Sequence, residues 1–205
     1  MNFTKILFHF VFYTKKILKK PPEREILIFD RDLSELLIQC LPKKKVEIFD
    51  NRFLFKKGES FNVYIFLCII FKFRWSRISY ITEYIKVVKP KIIISHICSN
   101  ITFYKLKNYF PEIKFLIIQH GQRSLTKGDL FYNYKMLNKL NLKCDYLFTH
   151  NYKIGKMYKL FSGGNIVPIG SFDSNLISKK KNNKKYEFTF ISNYRHQASK
   201  HSKDI

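Results

Sequence analysis

Alanine is all but missing from this chain of 205 residues, where Ala198 is the only one, and glycine occurs seven times. No GxGxxG follows the first apolar strand, which excludes the dinucleotide fingerprint, and no GxxxxGK[ST] loop is present. No GxSxG nucleophile elbow occurs either. The cysteines at 40, 68, 98 and 144 include no CxxC pair and have no histidine at metal-ligand spacing. They read as reduced, mostly buried thiols of a cytoplasmic protein, and no metal site is expected. No apolar run approaches the roughly 18 residues of a membrane span. The strongest, residues 61–71, is interrupted by Asn62 and closed by Lys72, and reads as a buried core helix.

Acidic residues are also scarce. Asp and Glu total 15 against 38 Lys and Arg, a net charge of +23. Two sources fit: AT-rich codon usage, which favours Lys, Asn, Ile, Phe and Tyr, or selection for polyanionic partners. Specific nucleic-acid binding lacks support, since there is no arginine-rich arm, zinc-finger spacing or aromatic RNA-binding signature. A +23 chain bound to DNA by charge alone would do so without sequence preference and lose it as salt rises.

What is present is a folding pattern. Hydrophobic content of 46% argues against disorder, and the length suits one domain or slightly more. Residues 1–20 form a ragged apolar stripe (Phe3, Ile6, Leu7, Phe10, Val11, Ile17 and Leu18) with Lys15, Lys16, Lys19 and Lys20 at its end. The expectation is an amphipathic basic helix that either packs on its own domain or lies on an anionic membrane surface. The basic end follows the apolar part, the reverse of a signal peptide.

After Pro21-Pro22, strands and helices alternate. Strands are expected at residues 25–29, 46–49, 91–95, 114–118, 145–149 and 165–169. Helices are expected at 33–40, within 60–88 as one or two, and at 102–110, 129–140 and 153–161. Near-continuous β-branched strands of this kind imply an α/β fold: a doubly wound, mostly parallel, Rossmann-like sheet over residues 21–177. Composition shifts at Ser178. Residues 178–185 are a Lys/Asn linker, and residues 186–205 open with a strand (YEFTFI) that reads as the start of a truncated second domain.

The chemistry concentrates where strands end. Ile117-Ile118-Gln119-His120-Gly121 is an apolar run stopping at a histidine and a glycine, and His96 and His150 close two other runs in the same way. Ligands of open α/β sheets bind beyond the carboxyl ends of the strands. His120 is the candidate general base, because an imidazole titrates near neutrality and can take a hydroxyl proton. The alternative is a strand-end histidine that only hydrogen-bonds. Gly121 permits a tight turn and close approach of a ligand. His96 and His150 support the site or the fold. Asp30, beside Asp32, is a candidate contact or a helix cap. Arg123 and Ser124 could hold an anion or belong to a solvated loop. Gly170-Ser171 contacts a ligand or turns the chain.

Several blocks in order resemble bacterial surface-carbohydrate (polysaccharide and O-antigen) biosynthesis proteins of the glycosyltransferase-B fold, distantly similar to CDP-glycerol glycerophosphotransferases. They are ILIFDRDLSELL (26–37), KPKIIIS (89–95), NITFYKLKNYFPEIKFLIIQHGQRS (100–124), DYLFTHNYKIGKMYK (145–159), NIVPIGSFDSNLI (165–177) and FTFISNYR (188–195). The resemblance implies two Rossmann-like domains facing across a cleft, the amino-terminal one taking the acceptor and the other most of the donor. His120-Gly121 falls where the glycerophosphotransferases carry a His-Gly pair with a proposed base. Arg123 would then hold phosphate or lipid-phosphate, and Ser171 would sit at the hinge. The implied substrates are a CDP-, UDP- or GDP-linked donor and a carbohydrate or lipid-linked acceptor, with no bound cofactor. The expected place is the cytoplasm, either free in it or peripheral on the inner face of the membrane. With most of the donor half absent, the 205-residue chain is expected to be inactive alone. The rival expectation is a non-catalytic remnant that binds anionic sugars or membrane phosphates.

Overall fold

A computed structural model describes residues 13–32, 34–52, 59–73, 76–121 and 137–175. Six parallel strands form one sheet: β2 (Ile26–Phe29), β3 (Val46–Phe49), β5 (Ile92–Ser95), β6 (Lys114–Ile118), β7 (Tyr146–Thr149) and β8 (Asn165–Pro168), in the order β3-β2-β5-β6-β7-β8. A separate two-stranded parallel ribbon pairs β1 (Lys15–Ile17) with β4 (Ser60–Asn62). Each junction of the main sheet requires a crossover, and helices α1 (Ser34–Cys40), α2 (Val63–Phe71), α3 (Arg77–Val88), α4 (Ile101–Leu106), α5 (Tyr152–Ser162) and α6 (Phe172–Asn175) supply or follow these crossovers.

Two apolar layers lie on the two faces of the sheet. Leu27, Phe29, Ile93, Phe115, Ile117 and Leu147 point to one face, under Ile81 and Ile85 of α3, Phe103 of α4 and Tyr158 of α5. Their neighbours Ile26, Ile28, Ile94 and Ile118 point to the other, where Leu37 of α1 packs. This alternation is the period-2 geometry of strands buried on both faces, and the fold is a doubly wound, Rossmann-like α/β sheet.

Local sequence sets the boundaries. Ser76 caps α3 by accepting from the Ser79 N–H, and Lys89, in the left-handed region, ends it just before Pro90. Asn151 caps α5 through the Ile154 N–H, and Gly163 at φ +63° closes it. Asn62 caps α2 through the Ile65 N–H.

Two expectations need correction. The basic end of the proposed helix over residues 1–20 is a strand at Lys15–Ile17. Its backbone pairs with β4, and the Lys15 N–H donates to the Glu59 carbonyl at 3.0 Å. The pull of β4 overrides the helical spacing there. Residues 60–62, read as the start of a helix, are that partner strand. Residues 1–12, most of the proposed 129–140 helix, the 178–185 linker and the 186–205 segment lie outside the described residues.

Candidate functional site

The chain leaves β2, adds β3 on one side, then crosses back to place β5 on the other side of β2. At such a reversal open α/β sheets bind ligands, beyond the carboxyl ends of the strands. Asp30 follows β2 and His96 follows β5, so both flank the reversal. His120 and His150 follow β6 and β7 along the same edge.

The structure brings His96 and His120 together, with ring centroids 5.2 Å apart. His96 is 2% exposed, whereas His120 is exposed. Behind His96 stands Phe172, its ring centroid 5.5 Å away. Phe172 follows β8, which lies three strands from β5, or about 14 Å at the usual strand spacing. The chain therefore doubles back over the second face of the sheet after β8, where Ile169 and Phe172 join the apolar layer. Ser171 opens that return and accepts from the Ser174 N–H at 3.3 Å, a turn-stabilising contact.

Gln119 is the residue the sequence pattern passed over. It is 2% exposed, and its backbone N–H donates to the Phe148 carbonyl at 2.8 Å. Its Oε1 accepts the His150 N–H at 2.9 Å and its Nε2 donates to the Gly121 carbonyl at 2.9 Å. A longer 3.5 Å approach joins Nε2 to His150 Nδ1. One amide thus ties the ends of β6 and β7 together and fixes the turn at Gly121, which takes φ +68°. The available signal was a buried amide at the end of an apolar strand, since such a group has to be satisfied locally. The Cys98 thiol, also buried, points at the His120 carbonyl at 3.8 Å.

Asp30 plays a different part from the histidines. It is 1% exposed and held at φ +116°, a conformation unusual for a non-glycine residue. Burial pushes its carboxyl above the usual range, against the pull of Arg52. Among the described residues, Asp30, Asp32 and Glu59 bring potential ligand atoms within 4.8 Å of one another. Arg52 answers all three. Its Nε reaches Asp30 at 3.2 Å, its Nη1 reaches Asp32 at 2.9 Å, and its backbone N–H donates to Glu59 at 2.7 Å. Arg52 thus holds the three acids together, one guanidinium among three carboxyls, and ties the loop after β3 to the end of β2. Arg31 likewise clamps Asp50 with two hydrogen bonds, at 2.6 and 3.1 Å.

A cavity of about 270 Å³ lies at the β3 edge, away from the histidines, with Arg31, Glu47, Asp50 and Tyr84 in its wall. Those polar groups bond one another, Tyr84 donating to Glu47 at 2.9 Å and Arg31 holding Asp50, so they present little to a ligand. Burial pushes both the Glu47 carboxyl and the Tyr84 phenol up. The histidine edge is the better chemical candidate, because it gathers exposed and buried imidazoles at the strand ends. Arg123 and Ser124 lie outside the described residues.

The fold is that of a parallel α/β protein of the doubly wound class, with histidines along its carboxyl edge. Over residues 116–205 the chain matches the model of a family described as "putative O-antigen biosynthesis protein". The matched stretch begins within β6 and includes His120, His150 and Ser171. No curated protein and no solved structure matches the chain.

Proposed function

We propose that this protein is a glycosyl- or glycerophosphoryl-transferase of bacterial surface-polysaccharide assembly, and that the described domain forms its acceptor side. The observation that carries the reading is the His96–His120 pair at the carboxyl edge of a doubly wound sheet, with His120 inside the stretch that matches the O-antigen biosynthesis family. Such a fold alone hosts many chemistries, so the site has to carry the argument.

In this reading the exposed His120 faces the incoming acceptor, and buried His96 backs its ring. The acceptor hydroxyl attacks the donor's electrophilic carbon or phosphorus. His120 takes the hydroxyl proton as the new C–O or P–O bond forms. The bond to the nucleotide breaks, and the nucleotide leaves with the electron pair. Gln119 acts through position: it holds the Gly121 turn, and with it the direction of the neighbouring imidazole. The donor is a CDP-, UDP- or GDP-linked compound, bound mainly by a facing domain of the glycosyltransferase-B type.

The test is transfer and donor hydrolysis by the intact gene product with a panel of these donors. His120→Ala should lower kcat about 10²- to 10⁴-fold, the usual worth of a general base. A variant that transfers at the wild-type rate would remove His120 from the reaction. Salt-sensitive binding of anionic sugars without turnover by the wild type would instead make the protein a binding module.

A further inference from the structure

Helix α2 is apolar on every side. Its nine residues, VYIFLCIIF, contain no charged side chain. A helix that is hydrophobic all round is normally enclosed by protein or lipid. Here the inner face, Ile65 and Ile69, is buried against Phe61, Tyr80 and Ile81. Among the described residues the outer face is left partly exposed. Positions 63, 66, 67, 70 and 71 follow the spacing of a single helical stripe, and Phe66, Leu67 and Phe71 on it are exposed, Phe71 at 79%. Other helices behave otherwise: α3 exposes Lys86, and α5 exposes Lys153, Lys156 and Lys159.

The stripe continues past the helix end. Phe73 is 89% exposed and sits at φ +53°. Glycine takes that conformation freely, whereas a bulky side chain is strained there. A phenylalanine held in a strained backbone with its ring in the solvent serves neither packing nor the turn.

Lysines stand at both ends of the stripe, the one at the carboxyl end within an ion pair. At its amino end the Asn62 side chain donates to the Lys19 carbonyl at 2.9 Å, which fixes exposed Leu18, Lys19 and Lys20 beside the start of α2. Exposed Lys15 belongs to the ribbon strand paired with β4, directly before the helix. Lys72 stands at the carboxyl end, paired with Glu83 at 2.6 Å. Nine residues span about 13 Å, well short of a bilayer's hydrocarbon core of about 30 Å. Among the described residues no helix is long and apolar enough to cross a membrane. Exposed aromatic rings on an element too short to span, with exposed lysines at its amino end, suit the interface of an anionic bilayer. The rings enter the acyl boundary and the ammonium groups meet lipid phosphates.

We propose that the outer face of α2, extended through Phe73, docks this protein onto the surface of an anionic lipid bilayer. The inference is independent of the transferase reading, because it uses no residue of the histidine edge.

The experiment is co-sedimentation of the full chain with vesicles of phosphatidylcholine alone or of equimolar phosphatidylcholine and phosphatidylglycerol. Emission of Trp75, the single tryptophan and two residues beyond Phe73 in sequence, gives a second readout. Binding to the anionic vesicles with a blue shift is expected, together with at least about tenfold weaker binding of the Phe71→Ser/Phe73→Ser double variant. Both rings are exposed, so its circular dichroism and melting curve should match the wild type, and Leu67→Gln should give a smaller loss of the same kind. Undiminished binding by the double variant would reduce the contact to charge alone and overturn the proposal. So would the absence of vesicle binding by the wild type. A concentration-dependent dimer that the double variant abolishes, without vesicle binding, would assign the face to a second copy of the chain and also overturn it.

Discussion

The buried side chain of Gln119 holds the backbone of His150, accepting its N–H at 2.9 Å across the gap between the ends of β6 and β7. The same amide donates to the Gly121 carbonyl. Gln119→Leu keeps the bulk but leaves a backbone N–H and a carbonyl without this partner. The expected cost is about 1–3 kcal/mol in stability, read by chemical denaturation. Hydrogen exchange at the His150 amide should quicken by more than at the amides of β2, because the opening is local. Equal effects at both places would mean that Gln119 supports the fold generally and not this turn.

The sheet was legible because its strands are short, β-branched runs broken by Gly, Pro and Asn. Residues 92–95, 114–118 and 146–149 stand within a residue of where the pattern places them. The common edge of His96, His120 and His150 was legible for the same reason, since parallel strands put equivalent positions side by side. The 15–17 strand was not legible, because the helical spacing around it is local while its partner β4 lies more than forty residues away. Nor could spacing reveal Gln119, Arg52 or Phe172. Each acts by reaching a neighbour that only the folded topology supplies, Phe172 from three strands away.

Gly155 marks where α5 lies hardest on the sheet. A Cβ added there would stand 2.3 Å from Ile166 Cγ2 and 3.1 Å from Thr149 Oγ1. Ile166 belongs to β8 and its branched methyl cannot swing aside freely, so α5 has to lift. Gly155→Ala should destabilise by about 1–3 kcal/mol, despite alanine's better helix propensity. In an Ile166→Ala background the obstructing methyl is gone, and the same substitution should cost much less. A double-mutant cycle measures the coupling, and additive effects would locate the strain elsewhere.

Asp145 secures the opposite, amino-terminal edge of the sheet. It accepts from Lys107 Nζ at 2.8 Å and from the Phe115 N–H at 2.8 Å, with Lys114 at 3.4 Å. Partial burial pushes its carboxyl up, but Lys107, the Phe115 N–H and Lys114 outweigh that and hold it below the ordinary aspartate value. A carboxyl lowered on folding contributes stability that is fully present above its unfolded pKa. That contribution is lost as pH falls through the unfolded and then the folded value. Stability should therefore drop between about pH 4 and the lowered folded value, and Asp145→Asn should be less stable at neutral pH and lose that part of the acid dependence. Unfolding free energies across the acid range would show it. Parallel curves for the two proteins would exclude Asp145 as a source.

The cysteines should separate by reactivity, because the thiolate is the nucleophile. Cys40 is exposed, whereas Cys98 and Cys144 are buried. Burial pushes the Cys144 thiol up to about 12, against the opposing hydrogen bond with Ser162. Its sulfur lies 3.8 Å from both the carbonyl and the hydroxyl of Ser162, at the end of α5. At about pH 8 almost none of it is thiolate, and a reagent has to wait for the packing around it to open. Iodoacetamide should label Cys40 first, with Cys144 following only as denaturant unfolds the sheet, and peptide mass spectrometry resolves the order. Labelling of Cys144 at the rate of Cys40 under native conditions would mean that the contact between α5 and the start of β7 opens on its own. Gly155→Ala, which presses on the same helix, should then speed it further.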